Sequence, residues 1–150
     1  MKKFYKGNYE KEADIETTDP RKDKFWIVGH FMPDGDARTT KDLGIKYWTF
    51  NSSEEADHPD KLELRSTEVT LILKGKVRGF IEEEINGSLV ERPIELEAGE
   101  YVVIPYGVRN NLIQEVVRPA VGITIKAPND PKFEPYKFPK NKWSKPATAP

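Results

Sequence analysis

Between residues 25 and 127, short apolar segments with the two-residue period of β-strands alternate with polar turns. No segment has the 3.6-residue period of a long amphipathic helix. Roughly eight to ten short strands at regular spacing are typical of an antiparallel sandwich or barrel, so we predict an all-β fold. The predicted strands, rich in β-branched and aromatic residues, cover residues 25–31, 43–50, 68–73, 77–85, 89–96, 101–105, 112–117 and 120–127.

Turn-forming residues separate these segments. Asn86-Gly87 lies between two apolar segments and predicts a two-residue hairpin in which both turn residues have positive φ. We expect strands to reverse direction at three glycines, Gly75, Gly99 and Gly107. Residues 51–60 are polar and are predicted to form a loop.

The pattern divides the chain into three parts. Residues 1–24 are polar and are predicted to form an extended N-terminal arm. Residues 25–127 are predicted to form the barrel. Residues 128–150 hold half of the 12 prolines of the chain, interleaved with aromatic residues and five lysines. We expect this tail to pack on the barrel or on a partner subunit, with its aromatic side chains as anchors.

Composition excludes several classes of protein. A length of 150 residues fits one domain, and a net charge of −1 attracts neither nucleic acid nor a membrane surface. The chain has no cysteine, which excludes disulfides, zinc–thiolate sites and thiol nucleophiles. The charged N-terminus lacks the apolar segment of a signal peptide, and no apolar segment approaches the roughly 20 residues that span a bilayer. We therefore expect a cytoplasmic protein.

Two stretches resemble the paired sequence motifs of the cupin family. Glu68 to Gly75 contains a glutamate, six residues and a glycine, like the end of the first motif. From Gly99 onward the spacing is that of the second motif: a glycine, five residues, Pro-x-Gly, and then Asn110 and Gln114 where the family has a histidine and an asparagine. The resemblance covers about residues 43–127. It implies an antiparallel jelly-roll, or double-stranded β-helix, barrel that encloses a small-molecule site.

The sequence departs from the family at the histidines that bind the family's metal. With the two spacings that the family allows, its His-x-His pair falls on Leu62 and Leu64 or on Lys61 and Glu63. The third histidine is replaced by Asn110, and only the motif glutamate, Glu68, is kept. One carboxylate and one amide are too few donors for iron, manganese or zinc, so we predict no family-type metal and no other cofactor. A different metal site at His30 or His58 stays open.

The resemblance and strand alternation together give the candidate binding residues. Glu68 and Asn110 occupy motif positions that face inward in the family, and residues two apart on a strand share a face. Arg109 lies beside the barrel mouth, where its guanidinium can hold an anion. The candidate ligand-binding residues, around a mostly apolar cavity, are Lys46, Trp48, Glu68, Thr70, Arg109, Asn110 and Gln114.

Structural roles compete with these assignments. Glu68 is equally compatible with an ion pair to Lys46 or Arg65 at the barrel rim, and Asn110 with a turn. An indole such as that of Trp48 is more often part of a core than of a binding surface.

Three functions remain open. We favour a small-molecule-binding protein that forms a homodimer through edge strands or the N-terminal arm. The first alternative is a metal-independent isomerase, epimerase or lyase that acts on a sugar or a small acid, with Glu68 and His30 as catalytic candidates. The second is a structural or interaction module that acts through its tail. The lysines and aromatic residues of the tail also suit single-stranded nucleic acid. Such Pro-rich tails more often wrap a barrel, so we predict no nucleic-acid or membrane partner.

Overall fold

The computed structural model describes residues 4–13, 25–35 and 37–138. No helix in these ranges is long and apolar enough to cross a membrane. A 3-10 turn, Pro131–Phe133, precedes the last strand. The other elements, in chain order, are α1 (Tyr9–Glu12), β1 (Trp26–Val28), β2 (Gly44–Phe50), α2 (Ser53–Ala56), β3 (Lys61–Leu62), β4 (Thr67–Ile85), β5 (Ser88–Glu97), β6 (Tyr101–Ile104), β7 (Arg109–Ala127) and β8 (Tyr136–Lys137).

All eight strands belong to one curled antiparallel sheet, which confirms the predicted all-β barrel. Two strands of 19 residues, β4 and β7, pair with each other along most of their length. β4 also pairs with β5 and β6, whereas β7 also pairs with β2 and β3. The short strands β1 and β8 extend the sheet beside β2 and β3.

The prediction that the chain reverses at Gly75 is wrong, because β4 continues from Thr67 to Ile85. Gly75 lies where the pairing between β4 and β7 shifts register, and it has a φ of 79°. A Cβ there would overlap the backbone of Pro119 on β7. Gly75 therefore belongs to a β-bulge within β4 and not to a hairpin turn. The predicted strands 112–117 and 120–127 are likewise parts of the single strand β7.

The hairpin predicted at Asn86-Gly87 is confirmed. Asn86 has a φ of 52° and Gly87 a φ of 80°, and the flanking residues Ile85 and Ser88 pair across the two strands. The segment 51–60 differs from its prediction, since it contains the helical turn α2. Ser52 caps α2 by accepting a hydrogen bond from the backbone N–H of Glu55 at 3.1 Å.

Both chain ends lie against the barrel where they are described. In the predicted arm, Tyr9 of α1 lies 4.8 Å from Tyr47 of β2 between ring centroids, and Ala13 is buried. In the tail, β8 pairs with β3, and the N–H of Phe138 donates to the carbonyl of Asp60 at 2.9 Å. The remaining tail residues, Trp143 among them, lie outside the described ranges. The division into arm, barrel and tail stays a prediction.

Strand register brings inward-facing residues from β2, β7 and β4 into three rows. The rows are Gly44, Lys126 and Glu68; Lys46, Thr124 and Thr70; and Trp48, Gly122 and Ile72. Residues between them face outward in two apolar rows that reach β6. These outer rows are Ile45, Ile125, Val69 and Val103, and Tyr47, Ile123, Leu71 and Tyr101. The sequence pattern thus produces a mixed polar and aromatic interior and an apolar outer face.

We predict that Gly122→Ala destabilises the barrel by about 1–3 kcal/mol, because the added Cβ would overlap the buried indole of Trp48. Urea unfolding would measure the loss as a lower midpoint at an unchanged slope. The double variant Gly122→Ala/Trp48→Phe removes the overlap, so its destabilisation should be smaller than the sum of the two single effects. Additive effects would show that overlap with the indole of Trp48 is not the reason why alanine at position 122 destabilises the barrel.

Candidate functional site

The barrel encloses a cavity of about 420 Å³. Strands β2, β3, β4 and β7 supply most of its wall. The rest comes from β1, from the segments beside β3 and from the tail, through Trp26, His58, Pro59, Glu63, Asn129, Glu134, Pro135 and Lys137. Three aromatic side chains line one part, Trp26, Trp48 and Phe50. The indole N–H of Trp48 donates to Thr124 Oγ1 at 3.0 Å, so this tryptophan is held by a polar contact as well as by packing.

Most of the sequence-predicted binding residues lie together around this cavity, namely Lys46, Trp48, Glu68, Thr70 and Asn110. Their common position follows from the inward rows on β2 and β4 and from the start of β7. Arg109, Gln114 and the catalytic candidate His30 do not line it. His30 Nε2 instead lies 4.0 Å from Glu134 Oε1, and its ring contacts Phe31.

Arg109 is buried in an ion cluster beside the cavity. Its guanidinium donates to Asp60 Oδ2 at 2.9 Å, Glu91 Oε1 at 3.0 Å and Glu82 Oε2 at 3.2 Å. Burial lowers the pKa of Arg109, but the carboxylates raise it by more, so the net pKa lies above its ordinary value. The guanidinium is thereby engaged by three protein carboxylates from three segments of the chain.

Gln114 is exposed because the alternation of β7 breaks just before it. As β4 advances from Arg78 to Phe80, its partner on β7 changes from Glu115 to Asn111. This irregularity turns both Leu112 and Ile113 toward the cavity. A two-residue period applied across the bulge therefore places Gln114 on the wrong face.

A cluster of buried charges forms the polar part of the cavity, and the sequence analysis had not chosen three of its members. Lys61 Nζ lies 2.5 Å from Glu68 Oε2 and 3.8 Å from Glu63 Oε1. Lys126 Nζ lies 3.1 Å from Glu63 Oε2. Lys61 and Glu63 occupy one of the two spacings of the family's missing histidine pair, which was the available signal for them. The position of Lys126 depends on the register in which β7 pairs with β4, which places Lys126 opposite Glu68. The sequence does not reveal this register.

The two carboxyl groups of this cluster have pKa values that differ in direction. Burial raises the pKa of Glu63, and Lys61 and Lys126 only partly offset it. Burial acts in the same sense on Glu68, but the ammonium of Lys61, which also donates a hydrogen bond, lowers the pKa of Glu68 below its ordinary value. The geometry thus holds Glu68 ionised beside a carboxyl group that ionises less readily.

His58 also lines the cavity, from the loop between α2 and β3. Burial, followed by the charges of Lys61 and Lys46, lowers the pKa of His58 to about 3. Its imidazole is therefore neutral in ordinary buffers. A histidine in a polar loop has no sequence pattern that would have marked it as part of the cavity wall.

Two buried amides line the cavity, and each has a side-chain polar atom without a hydrogen-bond partner among the described residues. Asn110 Nδ2 donates to the carbonyl of Val108 at 3.0 Å, but Asn110 Oδ1 has no partner among the described residues. Asn129 Nδ2 likewise finds no acceptor within the described ranges. Both residues are at most 4% exposed, so among the described residues each of these amides leaves one polar atom unsatisfied in the wall of the cavity.

The donor set does not fit the metal that the cupin resemblance implies. At the family's positions the cavity has Lys61, Glu63, Glu68 and Asn110, and the ammonium of Lys61 already lies against Glu68. Within the described ranges, no group of three or more His, Cys, Asp or Glu residues is arranged to hold a metal ion. A fixed ammonium and a divalent cation would compete for the same carboxylates, so these residues are unsuited to such a metal.

We predict that Lys61→Met destabilises the protein by about 3–5 kcal/mol near neutral pH, because it leaves the buried carboxylate of Glu68 without its cation. The lowered pKa of Glu68 contributes stability that is present above the ordinary carboxyl pKa and lost as the pH falls through the lowered value. Without Lys61, burial raises this pKa instead. The difference between variant and wild type should therefore shrink in acid.

Urea unfolding at about pH 7 and about pH 4 would measure both effects. Lys76→Met is the matched control, since its partner Glu95 is half-exposed and the expected change is much smaller. Equal losses for the two lysine variants would contradict the assignment.

No protein-family model matches this sequence, and a search of the curated proteins gives no match. Solved structures do match. A vicilin from Solanum melongena aligns with a TM-score of 0.52 and 16% identity over 65% of this chain. An oxalate decarboxylase aligns with a TM-score of 0.52 and 11% identity over 71% of this chain. An 11S globulin from Wrightia tinctoria aligns with a TM-score of 0.50 and 14% identity over 68% of this chain.

At these identities the likeness concerns the fold alone. The chain spans about a quarter of each matched protein: 26% of the vicilin and the globulin, and 27% of the decarboxylase. The sheet topology and these matches agree with the motif resemblance found in the sequence. The chain has the antiparallel double-stranded β-helix barrel fold of the cupins.

Proposed function

We propose that the protein binds a small molecule inside its barrel. The observation that carries this proposal is the pair of buried amides, Asn110 and Asn129, each with a polar atom that has no partner among the described residues. Buried polar groups in folded proteins are almost always paired, because an unpaired group costs about 1–3 kcal/mol. A ligand that accepts from Asn129 and donates to Asn110 would satisfy both groups.

The dimensions and the wall of the cavity support this proposal. A volume of about 420 Å³ lies within the range of roughly 300–1,000 Å³ in which most small-molecule sites fall. Aromatic side chains form one part of the wall, and a few converging polar groups form another. This combination gives a ligand apolar contact area and fixes its orientation.

The charge of the wall favours an anionic ligand. Four lysines and three glutamates line the cavity, and the pKa of one of those glutamates, Glu63, is raised by burial. The structure of the Solanum melongena vicilin is described as having different anionic ligands in structurally similar pockets, and that of the Wrightia tinctoria globulin as revealing an auxin binding site. We propose a small organic anion for this chain.

One observation favours the enzymatic alternative, an isomerase, epimerase or lyase. Glu63 and Glu68 approach the same ammonium, yet their environments shift their pKa values in opposite directions, as in acid–base pairs of enzymes. Turnover of a sugar or a small acid by the wild type that is lost in Glu68→Gln would favour this alternative. The proposal for His30 is weaker, because His30 contacts Glu134 and does not line the cavity.

We further propose that the protein forms a homodimer through the outer face of β6 and β4. Tyr101 and Val103 on β6 are 67% and 52% exposed, and they continue the two apolar outer rows of the sheet. Among the described strands β6 pairs only with β4, so it is an edge strand. An exposed apolar face on an edge strand is typical of an association surface. A cytoplasmic location and the absence of a nucleic-acid partner stay predictions.

We predict that small carboxylic acids change the tryptophan fluorescence of the purified protein, since Trp26 and Trp48 line the cavity. Asn110→Leu and Asn129→Leu should each lower the affinity for the best-binding acid about tenfold, because each removes one hydrogen bond to the ligand. Asn51→Ala, an exposed amide outside the cavity, is the control and should bind like wild type. The absence of any binding acid in a broad panel, with no small molecule carried through native purification, would contradict the proposal.

We predict that Val103→Lys converts the dimer into a monomer, because it places a charge in the centre of the proposed interface. Light scattering coupled to gel filtration would measure the mass. Val117→Lys is the matched control, because Val117 is an exposed valine on β7 outside the two apolar rows, and it should leave the mass unchanged. A monomeric wild type at all concentrations would reject the interface.

A further inference from the structure

Three neighbouring atoms of fixed hydrogen-bonding role determine the orientation of the Asn111 side-chain amide. Its Nδ2 lies 2.9 Å from the carbonyl oxygen of His58 and 3.1 Å from Asp60 Oδ1, and both of these atoms only accept hydrogen bonds. Its Oδ1 lies 3.1 Å from the backbone N–H of Ile113, which only donates. The reverse orientation would oppose donor to donor and acceptor to acceptor, so Asn111 Oδ1 is an acceptor here.

This orientation determines the tautomer of His58. His58 Nδ1 lies 3.0 Å from Asn111 Oδ1, and that oxygen has no proton to give. His58 Nδ1 must therefore carry the proton and donate it. A neutral imidazole has one N–H, so Nε2 keeps its lone pair.

The surroundings of His58 keep the ring neutral. Burial and the nearby ammonium groups of Lys61 and Lys46 disfavour a second positive charge, and the opposing influence of Glu68 is smaller. The pKa of His58, lowered to about 3, means that Nε2 is not protonated in ordinary buffers.

A chain of contacts extends behind the ring. Arg109 Nη2 donates a hydrogen bond to Asp60 Oδ2. The other carboxylate oxygen, Asp60 Oδ1, accepts a hydrogen bond from Asn111 Nδ2. Arg109 is thus connected to the His58 ring through two intervening residues, Asp60 and Asn111, as a positioning residue. Such a relay is typical of sites in which a ring must hold one tautomer.

We propose that His58 Nε2 is a ligand-binding acceptor and that it makes the barrel selective for small hydroxylated carboxylates, such as sugar acids. This rests on the proposed function. His58 lines both the cavity and an adjoining hollow of about 350 Å³. No described residue donates to Nε2, and a ligand hydroxyl can.

The other unused groups support the same ligand class. Asn110 Oδ1 is a second acceptor that needs a donor from the ligand, which a hydroxyl also supplies. Asn129 Nδ2 and the lysines of the wall are donors, which a carboxylate accepts. A ligand with hydroxyls alone or a carboxylate alone would leave one of these sets unsatisfied.

The tautomer can be measured without a ligand. Two-bond proton–nitrogen NMR of ¹⁵N-labelled protein distinguishes a protonated from an unprotonated ring nitrogen. The chain has two histidines, so His30→Gln identifies the His58 signals. We expect a protonated Nδ1 and an unprotonated Nε2, and a mixture of tautomers in Asn111→Leu. A protonated Nε2 in the wild type would overturn the proposal even if the cavity binds ligands.

The selectivity can be measured by calorimetry with three probes: D-glucuronate, D-glucose and cyclohexanecarboxylate. We expect D-glucuronate to bind at least about tenfold more tightly than either other probe. His58→Phe should remove most of this preference and leave cyclohexanecarboxylate unaffected, whereas Asn51→Ala, at an exposed amide outside the cavity, should bind all three probes like wild type.

The outcomes separate this inference from the function on which it rests. Equal affinity for D-glucuronate and cyclohexanecarboxylate would overturn the role of His58 but keep a ligand-binding barrel. Binding of other acids in the fluorescence panel, with none of the three probes bound, would overturn the ligand class alone. If no compound binds in either assay, both proposals fail.

Discussion

The pairing of β4 with β7 is the constraint on which the rest of the structure depends. Each strand is 19 residues long and pairs with at least two others, so their register fixes the position of nearly every other strand. It aligns Glu68 with Lys126 and Thr70 with Thr124, and it thereby creates the polar rows of the cavity. The register shifts at Gly75 and after Arg78 allow the two long strands to curl into a barrel. The shift after Arg78 also turns both Leu112 and Ile113 toward the cavity.

A fixed ammonium lies among the residues at which the motif resemblance implies metal ligands. Lys61 supplies a positive charge between two buried carboxyl groups, and it is attached to the backbone of β3. Its charge cannot exchange, add a ligand or change oxidation state, so it can hold Glu68 ionised but cannot itself activate a bound molecule as a Lewis acid. The arrangement therefore does not support the metal chemistry that the sequence resemblance would otherwise suggest.

The sequence predicted the barrel well because hydrophobic alternation and turn chemistry are local properties. The Asn86-Gly87 hairpin follows from its turn residues. The shared face of Lys46 and Trp48 follows from a two-residue period, whereas the inward position of Glu68 came from the motif resemblance and that of Thr70 from alternation with it. Prediction failed where non-local pairing decides the outcome. Gly75 resembles a turn until its partner strand is known. Likewise, nothing local in the sequence shows that Asp60, Glu82 and Glu91 engage Arg109. His58 and Asn129 lie in irregular segments, where no periodicity marks a cavity wall.

The tail strand β8 has a kinetic consequence. Its two residues pair with β3, the strand that carries Lys61, and the neighbouring Glu134 and Pro135 form part of the cavity wall. Two residues of sheet are the kind of element that opens locally long before a domain unfolds. Exchange of the proposed ligand between cavity and solvent would then be tied to fraying of β8. The residence time of a ligand would then follow the stability of that short segment, while its equilibrium selectivity is set by the barrel interior.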